Sequence, residues 1–372
     1  MSQEDCSAQQ IRRTFSISLL SWYQKHARTF LWRTEHPDPY HVWLSEMMLQ
    51  QTTTQTVTPY FRSFVESWPS FEALSKASLS DVLGCWQGLG YYRRAENVLA
   101  CARVVAKDYS GVLPREEKVL QTLPGVGPYT AAAIASIAFE RPSVAVDGNI
   151  ARVFSRILCL PYVKPELIRR VRIEAQAFLP KEKTLKISNF ERPFGDYTQA
   201  LMDLGATICT ARAPKCALCP VKMFCGAHLK GQEKMFPLKQ TKKKLPQKYG
   251  HFFFVTRKTD GALLMVQEEK RLLKGLWRPL TDVWCEGATS NERPLEVTWH
   301  TVGYVKHTFT HFHLSLTLLS CVVSSKSVCA KGTWVLPHEV EKYPLSTLTK
   351  KALKYYNAFR RQAAVQAIVK VS

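Results

Sequence analysis

No stretch of about 18 apolar residues runs uninterrupted in this 372-residue chain, which excludes an ordinary membrane-spanning helix. The first ten residues, Met1 to Gln10, are polar and lack the apolar core of a secretory signal, so a cytoplasmic protein of the reducing interior is expected. Acidic residues are scarce relative to basic ones, 30 Asp and Glu against 51 Lys and Arg, and the resulting net charge of +21 makes a basic partner implausible. A disulfide framework is absent as well. Of eleven cysteines, Cys6, Cys85, Cys101, Cys159, Cys285, Cys321 and Cys329 are scattered through apolar stretches and read as reduced thiols. There is no internal repeat. A chain of this length makes one oversized domain or two ordinary ones.

What is present begins with the other four cysteines. Cys209, Cys216, Cys219 and Cys225 form C-x6-C-x2-C-x5-C, and thiolates so spaced are the soft ligands of zinc and of iron-sulfur clusters. Zinc sites usually pair cysteines in two short knuckles, whereas this loop has one short pair with longer arms. The spacing therefore favours a 4Fe-4S cluster, with a zinc clip as the alternative. Arg212, Lys215 and Lys222 lie inside the loop, and Lys239, Lys242, Lys243, Lys244 and Lys248 follow it. A surface this basic suits a polyanion such as DNA, to which cations add salt-dependent affinity without reading sequence.

The texture of the chain changes once. From residue 11 to about 228 the apolar spacing is helical, as in Leu19-Leu20-Trp22-Tyr23 and Val98-Leu99-Cys101-Ala102-Val105. Residues 229–248 are polar and Lys-rich and read as a basic linker. Beyond them His251–Thr256, Ala262–Val266 and Thr310–Leu319 are β-prone, and Lys350–Val369 closes with a helical pattern. The expectation is a multidomain protein, an all-α module followed by an α+β module.

Two carboxylates stand out in the helical half. Asp38-Pro39 supplies an N-cap and a proline at the first helical position, and the helix it opens carries Glu46 among Val42, Trp43 and Leu49. Desolvation there would keep Glu46 protonated, as a general acid needs, although a surface glutamate paired with a cation fits the same spacing. Asp147 follows Val144-Ala145-Val146 and precedes a helical run, the position of an N-cap, whose hydrogen bonds favour the charged form. Capping alone would explain it. One carboxyl kept protonated and one kept charged nevertheless form the pair that glycosidic cleavage uses. Between them, Leu123-Pro124-Gly125-Val126-Gly127-Pro128 ends one helix and starts another, and Gly125 and Gly127 let backbone amides face a phosphate.

The hairpin Leu123–Thr130, the aspartate of Val146-Asp147-Gly148-Asn149 and the cysteine loop resemble the endonuclease III superfamily of base-excision DNA glycosylases, and within it the adenine DNA glycosylase (MutY) family. The resemblance covers nearly the whole chain. It extends to Trp43–Thr52, to Gly88-Leu89-Gly90-Tyr91-Tyr92-Arg93-Arg94 and to Gly195–Gly205. It implies a helical glycosylase domain over 8–228, with a helix-hairpin-helix at about 116–139 and an iron-sulfur loop at 209–225, the linker 229–248, and a MutT-like, Nudix-fold domain over 249–372. It also implies a monomer acting on double-stranded DNA that carries adenine opposite 8-oxoguanine or guanine. In this reading Glu46 protonates the flipped adenine at N7 and Asp147 stabilises the sugar cation. Tyr129 and Asn149 orient groups around them, Arg33 contacts the base, and Gln51 and Tyr91 fill the stack. Tyr129 stands where bifunctional relatives carry a nucleophilic lysine, so base removal without efficient strand cleavage is expected.

The resemblance places 8-oxoguanine reading at Phe309-Thr310-His311, where Thr310 replaces the family's serine. Alternation of Phe312, Leu314, Leu316 and Leu318 with His313, Ser315 and Thr317 puts Phe309 and His311 on the face opposite the apolar row, free to meet DNA. Leu31 departs from the proline common before Trp32-Arg33. The Arg-Glu-x-x-Glu-Glu box of Nudix hydrolases is missing after Gly275, which argues against pyrophosphate hydrolysis. An oxidised-pyrimidine lyase would want lysine at Tyr129, and a non-catalytic DNA-binding iron-sulfur protein would need neither carboxylate.

Overall fold

The computed structural model describes residues 3–181, 190–239, 244–269, 271–287, 292–324 and 332–369; Lys242, Lys243 and Cys329 lie outside them. The chain divides into two compact units, Met1–Lys76 with Asn97–Thr241, and Ala77–Glu96 with Lys242–Ser372. No helix among the described residues is long and apolar enough to cross a membrane.

The first unit is helical, as expected. It contains α1 (Gln3–His26), α2 (Pro39–Leu49), α3 (Thr54–Ser67) and α4 (Phe71–Ser75). After α5 (Leu79–Trp86), which belongs to the second unit, α6 (Arg93–Asp108) runs from one unit into the other. The first unit continues with α7 (Glu117–Leu120), α8 (Pro128–Phe139), α9 (Gly148–Ile157), α10 (Glu166–Gln176), α11 (Pro193–Asp203) and α12 (Gly226–Leu229). Helix α2 starts where the sequence places it: the Asp38 carboxylate accepts from the Tyr40 amide at 2.7 Å and Pro39 takes the first position. Its residues are buried almost all round, so it is a central helix rather than an amphipathic surface one. Helix α8, Ala-rich and buried from Thr130 to Ile137, packs against α2 and α11. Small side chains permit that close approach. A second core joins Phe15, Leu19 and Leu20 of α1 to Ile150, Val153 and Phe154 of α9 and to Tyr197 and Leu201 of α11.

The second unit is built on a mixed six-stranded sheet of order β4-β5-β1-β3-β2-β6: β1 (Gln247–Arg257), β2 (Leu263–Gln267), β3 (Trp277–Thr281), β4 (His300–Thr308), β5 (His313–Val323) and β6 (Thr333–Val335). Strands β1 and β5 run parallel from Gln247↔His313 to Arg257↔Val323, and the other pairs are antiparallel. β1 is buried from His251 to Thr256 without alternation, as a central strand covered on both faces must be. On one face Phe252, Phe254, Leu316 and Leu318 pack with Leu348, Ala352 and Tyr356 of α13 (Thr347–Val369). The expected strand Thr310–Leu319 begins only at His313, because Phe309–Phe312 form the turn of the β4–β5 hairpin, closed by Phe309 N–H on the Phe312 carbonyl at 2.9 Å. Segment Ala77–Glu96 belongs here through side chains: Gln87 donates to the carbonyls of Tyr343 and Leu345, and the Tyr92 hydroxyl to that of Leu345, each at 3.4 Å.

Candidate active site

Glu46 sits on the buried face of α2 with 5 % of its surface exposed. Burial pushes its carboxyl up from 4.5 to about 7, a hydrogen bond from Tyr129 and the Arg33 charge pull it down, and Asp147 pushes it up. Its Oε2 has no hydrogen-bond partner among the described residues. A buried carboxyl oxygen left open in this way points to a group that arrives from outside. Tyr129, one residue inside α8, donates its hydroxyl to Glu46, and burial followed by the charges of Glu46 and Asp147 holds that phenol well above its ordinary range.

Asp147 is the N-cap of α9, as its sequence context predicts: Oδ1 accepts from the Ile150 amide at 2.7 Å. Oδ2 accepts from Asn149 Nδ2 at 2.8 Å. Asn149 Oδ1 in turn accepts from Arg152 Nη2 at 3.0 Å, and the same guanidinium donates to the carbonyls of Cys209 at 2.8 Å and Gly205 at 2.6 Å. Gly205 must stay small, since a Cβ there would lie 2.8 Å from Asn149. A continuous hydrogen-bonded path therefore joins the first cysteine of the loop to the Asp147 carboxylate. Nothing in the spacing announces Arg152.

Arg33, expected to contact the base, is held by a carboxylate. Its guanidinium forks onto Asp203, Nη1 to Oδ2 at 2.8 Å and Nη2 to Oδ1 at 3.0 Å. Arg28 shares that carboxylate. Arg33, Arg28, Tyr23, Asp196 and Gln199 line a cleft of about 440 Å³. Asp203 interrupts the apolar run Ala200-Leu201-Met202-Asp203-Leu204, a sequence signal that a buried carboxylate needs a cation, although not which one.

The hairpin before α8 uses its glycines unequally. Gly125 has φ +76°, and a Cβ there would meet Met47 at 2.6 Å and Asn97 at 2.7 Å. Gly127 caps α8 with ordinary φ, and the space a Cβ would occupy is open, which leaves the helix start accessible to an anion. Gln51 in the first unit and Tyr91 in the second are both exposed and both left-handed, with φ +60° and +49°, a conformation that costs side-chain-bearing residues about 1 kcal/mol or more and clusters at functional positions. Under Tyr91 the Arg94 guanidinium lies 5.5 Å from its ring and 5.3 Å from that of Trp86.

In the second unit Thr310 and His311 are exposed at the tip of the β4–β5 turn. Phe309 corrects the expectation of a free face. It is half-buried, its ring 4.8 Å from Phe312, 4.6 Å from His307 and 6.0 Å from Trp284. The alternation of β5 does not carry through the turn, which folds Phe309 back against the core of the second unit.

Cys209, Cys216, Cys219 and Cys225 converge on one small cavity with Arg156, Lys222 and His228 on its wall. A π-turn over Leu204–Ile208 extends α11 and delivers Cys209. Burial pushes the Cys219 thiol up to about 12, and the other three cysteines add to the rise. Thiols so crowded ionise together only around a metal cation, so the four sulfurs fit a soft metal centre. Arg156, 2 % exposed, donates to Cys209 Sγ at 3.2 Å and to the carbonyls of Thr210 and Glu233 at 2.8 Å. Cys216 also stands near the His228–Glu233 pair, a second possible ligand grouping. Arg212 and Lys215 are exposed and Lys222 half-buried. Outside the quartet, Cys101 and Cys321 are buried and Cys85, Cys159 and Cys285 half-buried, none of them joined in a disulfide.

Residues 44–174 match the HhH-GPD superfamily of base excision DNA repair proteins, and residues 252–355 match the NUDIX domain. The chain is 35 % identical to an adenine DNA glycosylase of Buchnera aphidicola from Acyrthosiphon pisum over 266 residues, 72 % of each chain. It is 31 % identical to a human adenine DNA glycosylase over 417 residues, 92 % of this chain and 74 % of the human one. Among solved structures, a thermostable thymine-DNA glycosylase superposes with a TM-score of 0.51 at 30 % identity, covering 60 % of this chain and 99 % of its own.

Proposed function

Because this chain belongs to the adenine DNA glycosylase family, helix-hairpin-helix base excision repair enzymes, and here carries a NUDIX domain, we propose that it removes adenine mispaired with 8-oxoguanine or guanine, with Glu46 as the general acid. The observation that carries the assignment of the acid is a buried carboxyl raised to about 7, chiefly by burial and also by the Asp147 charge, with one oxygen unpartnered among the described residues.

In the proposed reaction the adenine is flipped out of the duplex and Glu46 gives its proton to N7. The C1′–N9 bond then breaks with its electron pair leaving on the base, and positive charge develops at C1′ and the ring oxygen. Asp147, aimed by Ile150 and Asn149, stabilises that charge electrostatically or by transient bonding to C1′. Water adds at C1′, its proton returns to the Glu46 carboxylate, and free adenine and an abasic site result. Tyr129 holds the acid in place and offers no amine to C1′, which supports a monofunctional enzyme. Gln51 and Tyr91, exposed on strained backbone, suit side chains that enter the base stack.

Cys209, Cys216, Cys219 and Cys225 would hold a 4Fe-4S cluster, which when bound neutralises the thiolates and fixes the loop bearing Arg212, Lys215 and Lys222 toward phosphate. Thr310 and His311 would read 8-oxoguanine from the second module, with Phe309 supporting the turn from behind. Domain bounds of 8–228 and 249–372 around a basic linker at 229–248, and a monomer with one site and one reader per chain, complete the reading.

The test is single-turnover adenine release by Glu46→Gln and Asp147→Asn alongside duplex affinity. Release lost with affinity kept is expected. Full release by Glu46→Gln would dismiss the assignment of the acid. Iron content near four atoms per chain, with zinc absent, is expected for the cubane.

A further inference from the structure

Arg156, near the end of α9, is a buried charged side chain that the proposed base removal does not use. Its guanidinium reaches both sides of the cysteine loop. On the entering side Nη1 donates to Cys209 Sγ at 3.2 Å and to the Thr210 carbonyl at 2.8 Å, and Nη2 donates to the Ala211 carbonyl at 3.3 Å. On the leaving side Nε donates to the carbonyls of Glu233 at 2.8 Å and Phe236 at 3.1 Å. None of these acceptors is a carboxylate. The Glu233 carboxylate is turned to His228 Nδ1 at 2.7 Å, and among the described residues no carboxylate forms an ion pair with Arg156.

A guanidinium keeps its proton inside a protein and is seldom buried without an opposite charge, because carbonyl dipoles do not neutralise it. The cysteine quartet supplies that charge. Cys209, Cys216, Cys219 and Cys225 surround the small cavity whose wall includes Arg156, and four thiolates around a 4Fe-4S core leave the whole assembly anionic. We propose that Arg156 is the buried counter-cation of the cluster: it neutralises part of the charge of the loaded site and hydrogen-bonds the Cys209 sulfur, which retains the cluster and favours its reduced form. The inference rests on the reading of the four cysteines as ligands of a 4Fe-4S cluster. An added electron makes the site more negative in any redox couple, so a cation beside it raises the potential.

The test compares Arg156→Met, which removes the charge and the donors, with Arg156→Lys, which keeps the charge and loses the fork. Iron per chain, the rate of iron release to a chelator and the midpoint potential in a redox titration are read on the purified full chain. Arg156→Met should release iron roughly tenfold faster than the wild type. Its midpoint should fall by about 59 mV, a tenfold change in a one-electron equilibrium. Arg156→Lys should release iron more slowly than Arg156→Met and keep a midpoint close to that of the wild type. An unmoved midpoint in Arg156→Met would overturn the proposal whatever the iron release, since a clamp on the carbonyls alone would loosen the cluster without shifting its potential. If Arg156→Met takes up no iron, Arg156→Lys decides: a loaded cluster at the wild-type midpoint supports the counter-cation, and an empty site or a lowered midpoint contradicts it. Zinc in place of iron in the wild-type protein would instead remove the cluster reading, and the proposal with it.

Discussion

Glu46→Gln should make the helical unit more stable as the pH rises, although it destroys the reaction. The wild-type carboxyl is raised from 4.5 to about 7, chiefly by burial. For a group whose folded value lies above its unfolded one, its stabilising contribution is complete below about pH 4.5 and is lost as the pH rises toward 7. At about 1.4 kcal/mol per pH unit the loss reaches about 3 kcal/mol, and above pH 7 it levels off. Glutamine has the same shape, still accepts from Tyr129 and never ionises. Its second polar atom meets the same unpartnered space, at a cost that does not vary with pH. The diagnostic is therefore the slope of the difference. In paired thermal melts followed by circular dichroism, the variant should gain on the wild type between about pH 4.5 and 7, reaching on the order of 10 °C for a unit of this size. A gap that stays constant across that window would refute the buried, proton-holding carboxyl.

Three further outcomes follow from other contacts. Arg152→Gln cuts the path from the cysteine loop to Asp147 and should slow adenine release roughly 10- to 100-fold, the usual cost of losing an orienting partner, with duplex affinity little changed in binding titrations. Gly125→Ala forces a Cβ into Met47 and Asn97 at positive φ and should cost about 1–3 kcal/mol in urea unfolding, with weaker DNA binding. Phe309→Ala empties a half-buried site and should cost the second unit about 2 kcal/mol, less than a fully buried phenylalanine, while reducing the preference for 8-oxoguanine over guanine in competition assays.

Local chemistry was legible in the sequence where a few neighbouring residues decide the outcome. Asp38-Pro39 and Asp147 cap their helices as their contexts predict, and the apolar run of β1 sits at the centre of its sheet. Glu46 was legible in part: its spacing among Val42, Trp43 and Leu49 predicts desolvation, while the open Oε2 required the packed structure. Long-range pairings were not legible. Arg33 and Asp203 lie 170 residues apart, and no periodicity links them. Arg152 reads as an ordinary helix residue until Cys209 is seen beside it. Phe309 was misplaced because alternation holds along a strand and fails at a turn. The left-handed backbones of Gln51 and Tyr91 oppose their own propensities, so they are visible only in three dimensions.

The central claim is tested most directly on labelled duplexes carrying adenine opposite 8-oxoguanine, guanine or thymine, beside a thymine-glycol duplex, with strand breaks compared before and after hot alkali. Breaks at adenine opposite 8-oxoguanine that require alkali, and that vanish in Glu46→Gln, are the expected result. Breaks at thymine glycol without alkali, with adenine untouched, would contradict the account and show a lyase working through an amine other than any at position 129.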